Sequence, residues 1–475
     1  MKHQLFINNE WVAARTGATF PTVDPATEEP VAEVARADVE DVDQAARSAD
    51  AAMKGPWRRV TPQERGSLMF KLADLISAHR DELARLETLD VGKPLRDSQG
   101  DVDGVVATLR YNAGAADKMQ GETIPLGPDV IDFTLLEPQG VTAHIVPWNY
   151  PLGMAMRSLA PALAAGCTAV LKPAEQSPLT ALKLGELVAE AGFPAGVVNV
   201  VTGFGEEAGD ALVRHPLVRG ISFTGSVETG RKILAAAAPG IKPTVLELGG
   251  KNPFIVFADA DLERAANDAA MATFENCGQV CSSSGRYLLH PKIRDEFLDI
   301  VQGKAAKLSV GPGLDNPDLG PIVSDEQYAR VTGYVAQGTR DGARLRAGGQ
   351  RPRHLPRGYF IEPTIFDRVT PEAKIAREEI FGPVGVAIDI AGEDEALRIA
   401  NGLGYGLAAG IYTRDISRAL RLARELEAGS VWINGWWMGG VQAPTGGIKD
   451  SGIGRERGLA GIRNYLQIKN VAVRL

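Results

Sequence analysis

The chain has 475 residues, 44% of them hydrophobic and 23% charged, enough to fill about three domain cores and too apolar for a disordered chain. With 51 Lys+Arg against 59 Asp+Glu the net charge is −8, and without a basic stripe nucleic acid is excluded as the main partner. Three cysteines and six histidines lack disulfide-scaffold or metal-ligand spacing, so no metal site is expected. The N-terminus shows no apolar h-region, and the most apolar stretch, 159–171, carries Pro161 and Gly166. A cytoplasmic protein without membrane spans is expected.

In chain order, 62–90 reads as helical, with Leu68, Leu72, Leu75 and Ile76 on one face. The segment 120–140 reads as an extended hairpin. From 141 to 257, VTAHIV, TAVLK, GVVNVV, GISF, TVLEL and PFIVF read as buried strands alternating with helices. Ser177-Pro178 predicts the N-cap and first position of one helix, and Gly192 followed by Pro194 its end. Such βαβ alternation implies a parallel sheet with ligands beyond the carboxyl ends of its strands. A second alternation runs from about 261 to 435, and the final NYLQIKNVAVRL alternates like a strand. The hairpin and the terminal strand, neither with an evident partner, predict an oligomer interface made by sheet pairing.

Among the chemistry-bearing residues, Cys281 lies in a polar, small-residue stretch after a helix. A lone cysteine is ordinarily a packed core thiol, but Gly278 and Ser282–Ser284 permit close backbone approach and donors near sulfur, as a thiolate nucleophile requires. Cys167 sits in an apolar run and reads as core; Cys277 fits either role. Glu247 closes a buried strand before Gly249-Gly250 and is either a base or a salt-bridge partner. Gly203-Phe204-Gly205 and Gly225-Ser226…Gly230 each follow a strand, where backbone N–H groups can face a pyrophosphate. Lys172 and Glu175 end another strand within reach of a ribose, and an acid there repels a 2′-phosphate.

Seven stretches in order, PWNYP (147–151), LKPAEQSP (171–178), FTGSVETG (223–230), LELGGKNP (246–253), NCGQVC (276–281), EEIFGPV (378–384) and PTGGIKDSGIGRE (444–456), resemble those of the NAD(P)-dependent aldehyde dehydrogenase superfamily. The resemblance implies an α/β chain: a Rossmann-like NAD-binding domain (1–119 and 141–250), a catalytic α/β domain (251–450), and a small β oligomerisation extension (120–140 and 455–475) building a homodimer or homotetramer. It implies Cys281 as nucleophile through a thiohemiacetal and thioester, Asn149 as oxyanion-hole amide, and Glu247 as general base, favouring release of free acid over acyl transfer to coenzyme A. For the cofactor it implies Lys172 and Glu175 at the adenosine ribose, favouring NAD over NADP. Ser226 is assigned to the pyrophosphate, Glu379 to the nicotinamide ribose and Phe381 to the nicotinamide. Val146, Pro147, Trp148, Gly225, Gly230, Leu248 and Gln327 line the groove.

The same resemblance bears on the aldehyde. Arg157 stands where semialdehyde-oxidising relatives carry an arginine that clamps a substrate carboxylate. Glu275 stands where the succinic semialdehyde enzymes have a second arginine, and is expected to neutralise Arg157 if the clamp is not formed. Thr445 replaces a common phenylalanine. Tyr150 and Trp436 are similar to the aromatic box of betaine aldehyde dehydrogenases. Together these predict a polar aliphatic aldehyde or semialdehyde, with an aromatic or amino/betaine-type aldehyde as the alternative.

Overall fold

The computed structural model describes residues 3–475. Five parallel strands form the centre of the first sheet, in the spatial order Thr244–Glu247, Val218–Thr224, Val141–Ile145, Thr168–Lys172 and Val198–Val200. Val141–Ile145 and Thr168–Lys172 are buried at every residue, as parallel strands covered by helices on both faces must be. After Val198–Val200 the chain crosses back to the other flank of Val141–Ile145. This switch opens a crevice at the carboxyl ends of Val141–Ile145 and Val218–Thr224. An N-terminal hairpin, Leu5–Ile7 and Glu10–Val12, extends one edge, and Gly452–Ile453 pairs antiparallel with Leu246 and Glu247 at the other.

The second sheet has seven strands, ordered Arg344–Ala347, Thr364–Asp367, Val384–Asp389, Arg286–Leu289, Pro253–Val256, Ala408–Tyr412 and Ser430–Ile433, with Arg344–Ala347 alone antiparallel. Apolar side chains cover both faces of each large sheet. No helix among the described residues is long and apolar enough to cross a membrane.

Four expectations change. The helical stretch 62–90 is two helices, Pro62–Ala78 and Arg80–Val91, separated at His79. The helix Leu179–Glu190 is not capped by Ser177, whose hydroxyl donates to Trp148 O at 3.2 Å. Its Leu179 N–H donates instead to the buried carboxylate of Asp90 at 2.9 Å, a cap supplied by a distant element that no local pattern announces. The hairpin and the terminal strand do have partners: Val130–Pro138 pairs with both Thr123–Pro125 and, over its whole length, Leu466–Arg474. The 455–475 stretch divides, because Gly458–Arg463 is a helix packed on the helix Pro151–Ala165 and only Leu466–Arg474 joins the small sheet.

Candidate active site

The segment bearing Cys281 begins where the helix Leu262–Phe274 ends. Three successive residues, Asn276, Cys277 and Gly278, take left-handed backbone angles with φ of 48°, 54° and 69°. For the two that carry a Cβ this costs about 1–2 kcal/mol each, so the surroundings must impose it. They do so through side-chain amides. Asn276 Nδ2 donates to Asn149 O at 3.1 Å, Asn149 Nδ2 to Gln279 O at 2.8 Å, and Gln279 Nε2 to Asn276 O at 3.1 Å, while Gln279 Oε1 accepts from Val323 N at 2.9 Å. Beyond the turn, Asn252 Nδ2 donates to the carbonyls of Cys281 and Ser283 at 2.9 and 2.8 Å. The loop is thus fixed from the first sheet, from 249–252 and from 321–323.

Cys281 is half-buried, whereas Cys167 and Cys277 are buried. Cys277 packs among Ile255, Leu288 and Ile380 in the second core. Burial pushes the Cys281 thiol up to about 11, against the pull of Arg157; the carboxylates of Glu379 and Glu247 add to the rise. Arg157, Glu247 and Glu379 are thus within electrostatic range of Cys281. Asn149, 5% exposed, uses one amide hydrogen to hold the loop and keeps a second.

Glu247 ends its strand with 4% exposure, and its Oε1 has no hydrogen-bond partner. Gly446 lies so close that a Cβ there would stand 2.5 Å from that oxygen. Burial and the neighbouring Glu456 raise the Glu247 carboxyl well above the usual range, opposed by Arg157 and Arg455.

Arg157 does not meet Glu275. Its guanidinium pairs with Glu456 and lies 3.9 Å from Glu247. Glu275 keeps an exposed face, while the partial burial of its carboxyl together with Asp97 and Asp101 raises it to about 7. The aromatic-box reading also fails. Trp436 is buried against Phe254 with centroids 5.4 Å apart, and its Nε1 donates to Ser282 O at 3.2 Å. One face of Tyr150 already carries a cation, Lys93 Nζ, at 3.9 Å from the ring centre. Trp436 therefore supports the Cys281 loop through Ser282. Thr445 pairs through its backbone with Glu456.

The residues that the resemblance assigns to a dinucleotide are placed as follows around the switch-point crevice. Ser226 caps the helix Val227–Ala237, its hydroxyl accepting from Thr229 N at 3.2 Å, which leaves the amides of Val227 and Glu228 to face an anion. Gly225 donates to Glu247 O at 3.0 Å, and a Cβ on Gly230 would stand 2.8 Å from Leu248. Lys172 and Glu175 pair at 3.1 Å at the end of their strand. Glu379 accepts from Gly250 N at 2.9 Å, and its carboxyl is raised to about 7 by burial. Phe381 meets Trp148 edge-on at 5.3 Å, beside the buried Val146 and half-buried Pro147. Gln327 acts on the loop rather than facing the groove, since Nε2 donates to Ile380 O and Phe381 O at 3.2 and 2.9 Å. Gly203 closes against Ala37, and Phe204 packs on Phe20 at 5.3 Å; of the two glycine pairs, 225–230 has the longer helix behind it.

Sequence reasoning missed Asn276, Gln279, Asn252 and Glu456. The first three are amides in motif stretches whose partners are backbone atoms far along the chain. Glu456 lies in Arg455-Glu456-Arg457, which reads as a solvated charge run yet places the acid 4% exposed.

A cysteine loop locked to an asparagine and faced by a buried glutamate thus lies beside a dinucleotide-type crevice. The sequence profile of the Aldehyde dehydrogenase family matches residues 11–471. The chain belongs to that family. It is accordingly an enzyme that oxidises an aldehyde to the carboxylic acid. It is 46% identical to a hydroxyisobutyraldehyde dehydrogenase of Mycolicibacterium austroafricanum, over 99% of this chain and 94% of that one. Its fold is similar to the NAD+ complex of an aldehyde dehydrogenase from Bacillus cereus, with a TM-score of 0.98, 45% identity and coverage of 100% and 97%. Betaine aldehyde dehydrogenase from Staphylococcus aureus in complex with NAD+ aligns at a TM-score of 0.98 and 40% identity, covering 100% and 95%.

Proposed function

We propose that Cys281 attacks the aldehyde carbon, that a bound NAD would serve as hydride acceptor, and that water added to the resulting thioester yields the free acid. The observation that carries this reading is the one half-buried cysteine, two residues from the Gln279 carbonyl that Asn149 holds and within electrostatic range of buried Glu247. Sulfur adds to the carbonyl to give a thiohemiacetal. The free Asn149 amide hydrogen and the Cys281 N–H stabilise the developing oxyanion, each such donor contributing about 3–4 kcal/mol to the transition state. The bound dinucleotide supplies a hydride acceptor. Glu247 takes a proton from water as its oxygen adds to the thioester, and the C–S bond breaks to return the thiol. Lys172, Glu175, Ser226 and Glu379 fit a dinucleotide: a helix N-terminus for the pyrophosphate, flanked by two carboxylates able to accept from ribose hydroxyls. Glu175 disfavours a 2′-phosphate and so favours NAD over NADP.

A neutral polar aliphatic aldehyde fits the site best. The semialdehyde clamp loses its support because the charge of Arg157 is already met by Glu456. Glu247 favours hydrolysis over acyl transfer to coenzyme A. The small sheet supports a homodimer or homotetramer, since Leu466–Arg474 is an open edge with Ile468 74% exposed. The test is a pre-steady-state NADH burst with a neutral aldehyde. Wild type shows a burst equal to its active sites and Cys281→Ser none; a burst in Cys281→Ser overturns the reading.

A further inference from the structure

We infer that Arg157 is a positioning residue for the deacylation base: held between Glu247 and Glu456, it keeps Glu247 able to accept a proton. This rests on the reading of Glu247 as the base that activates water. Three separate elements converge on the cluster. The helix Pro151–Ala165 brings Arg157, the strand Thr244–Glu247 brings Glu247, and the return from Thr445 to Glu456 brings the second acid, fixed by paired backbone bonds of 2.9 and 2.7 Å. Both carboxylates are 4% exposed; Glu247 Oε1 has no hydrogen bond, and Glu456 Oε2 is the oxygen paired with Arg157.

Two buried carboxylates facing each other hold a shared proton unless a cation compensates. The groups facing Glu247 are Arg157, Arg455, Glu456 and the Cys281 thiol, with Arg457 on the outer side. Arg455 is committed to the carbonyls of Gly447 and Gly454, and Arg457 is exposed. Arg157 is the half-buried guanidinium that pairs with Glu456 and lies 3.9 Å from Glu247. Burial and Glu456 push Glu247 toward its protonated form, and Arg157 works against them in favour of the carboxylate. In that form Glu247 takes the proton of water, the water oxygen bonds to the thioester carbon, and the C–S bond breaks with the proton passed to sulfur. A substrate carboxylate at Arg157 would instead add a third anion beside two.

The test is the pH dependence of acyl-enzyme decay, followed by rapid quench, for wild type, Arg157→Ala, Arg157→Lys and Glu456→Gln. Arg157→Ala is expected to move the ascending limb of acyl-enzyme decay up by about 1 pH unit or more and slow that decay roughly tenfold below it, over and above any slowing of the NADH burst from the lost pull on the Cys281 thiol. Glu456→Gln, which removes the facing anion, moves the limb down, and Arg157→Lys stays near wild type. Limbs that coincide in all four proteins, or a loss in Arg157→Ala confined to carboxylate-bearing aldehydes, overturn the inference. Glu247→Gln run alongside separates the two levels. If it decays like wild type, the base assignment itself falls; if it is blocked while the limbs coincide, only the part given to Arg157 falls.

Discussion

Gly278→Ala probes the turn that carries the nucleophile. Gly278 has φ of 69°, and an added Cβ would lie within 3.0 Å of the carbonyl of Gly382 and of Pro383 N. An L-residue in that conformation costs about 1–2 kcal/mol, and forcing an extra carbon into packed backbone a further 1–3 kcal/mol. Gly382 cannot retreat freely, because its carbonyl accepts from Val384 N at 2.7 Å at the start of a buried strand. The 276–281 turn must yield instead, so a destabilisation of about 2–5 kcal/mol is expected together with displacement of Cys281. A shift of about 1 Å at a reacting atom costs on the order of 100-fold in rate. Denaturant titration and the NADH burst amplitude measure the two effects separately. Gly303→Ala is the control, since it lies in the helix Arg294–Ala305 with nothing near its would-be Cβ. If Gly278→Ala matches wild type within about 0.5 kcal/mol and keeps its full burst, the steric argument is wrong.

Three further outcomes are expected. Asn149→Ala loses a donor to the oxyanion and the bond that ties the two loops, so the burst rate falls about 100- to 1,000-fold; a fall under about fivefold would leave Asn149 no catalytic part. Glu175→Ala raises kcat/KM for NADP relative to NAD, and a wild type that already uses both equally removes the basis for the preference. His144 is buried on Thr142 and Tyr465, and burial lowers its imidazole from 6.5 to about 3. Below pH 6.5 the unfolded chain binds a proton that the folded chain refuses, so stability falls as pH falls toward 3. Between pH 7 and 5 the loss is about 2 kcal/mol, and thermal melts of His144→Gln should show a shallower acid slope than wild type. Parallel slopes would contradict the assignment.

Much of this protein was legible locally. Alternating buried strands and helices announced two parallel sheets, because parallel strands are covered on both faces and read as unbroken apolar runs. Glycine and serine at strand-to-helix joins located the dinucleotide crevice, since those positions need short side chains and free amides. Cys281, Glu247 and Asn149 stood out through their motif stretches. The partners of charged and amide side chains did not. Asp90 capping a helix that begins at Leu179, or Gln279 bonding Val323, joins residues whose spacing carries no periodic signal.

Arg157 shows the division most clearly. Its type and place on a helix were readable, but its meaning turned on which acid stood opposite. Glu275 was the nearer candidate by motif; the folded chain brought Glu456 across instead. Sequence by itself determined most element types and nominated the crevice and the candidate reactive groups, because those follow from side-chain chemistry and local periodicity. Tertiary structure alone decided the charge state and purpose of the buried groups, because electrostatic energy depends on separation in space and on exclusion of water.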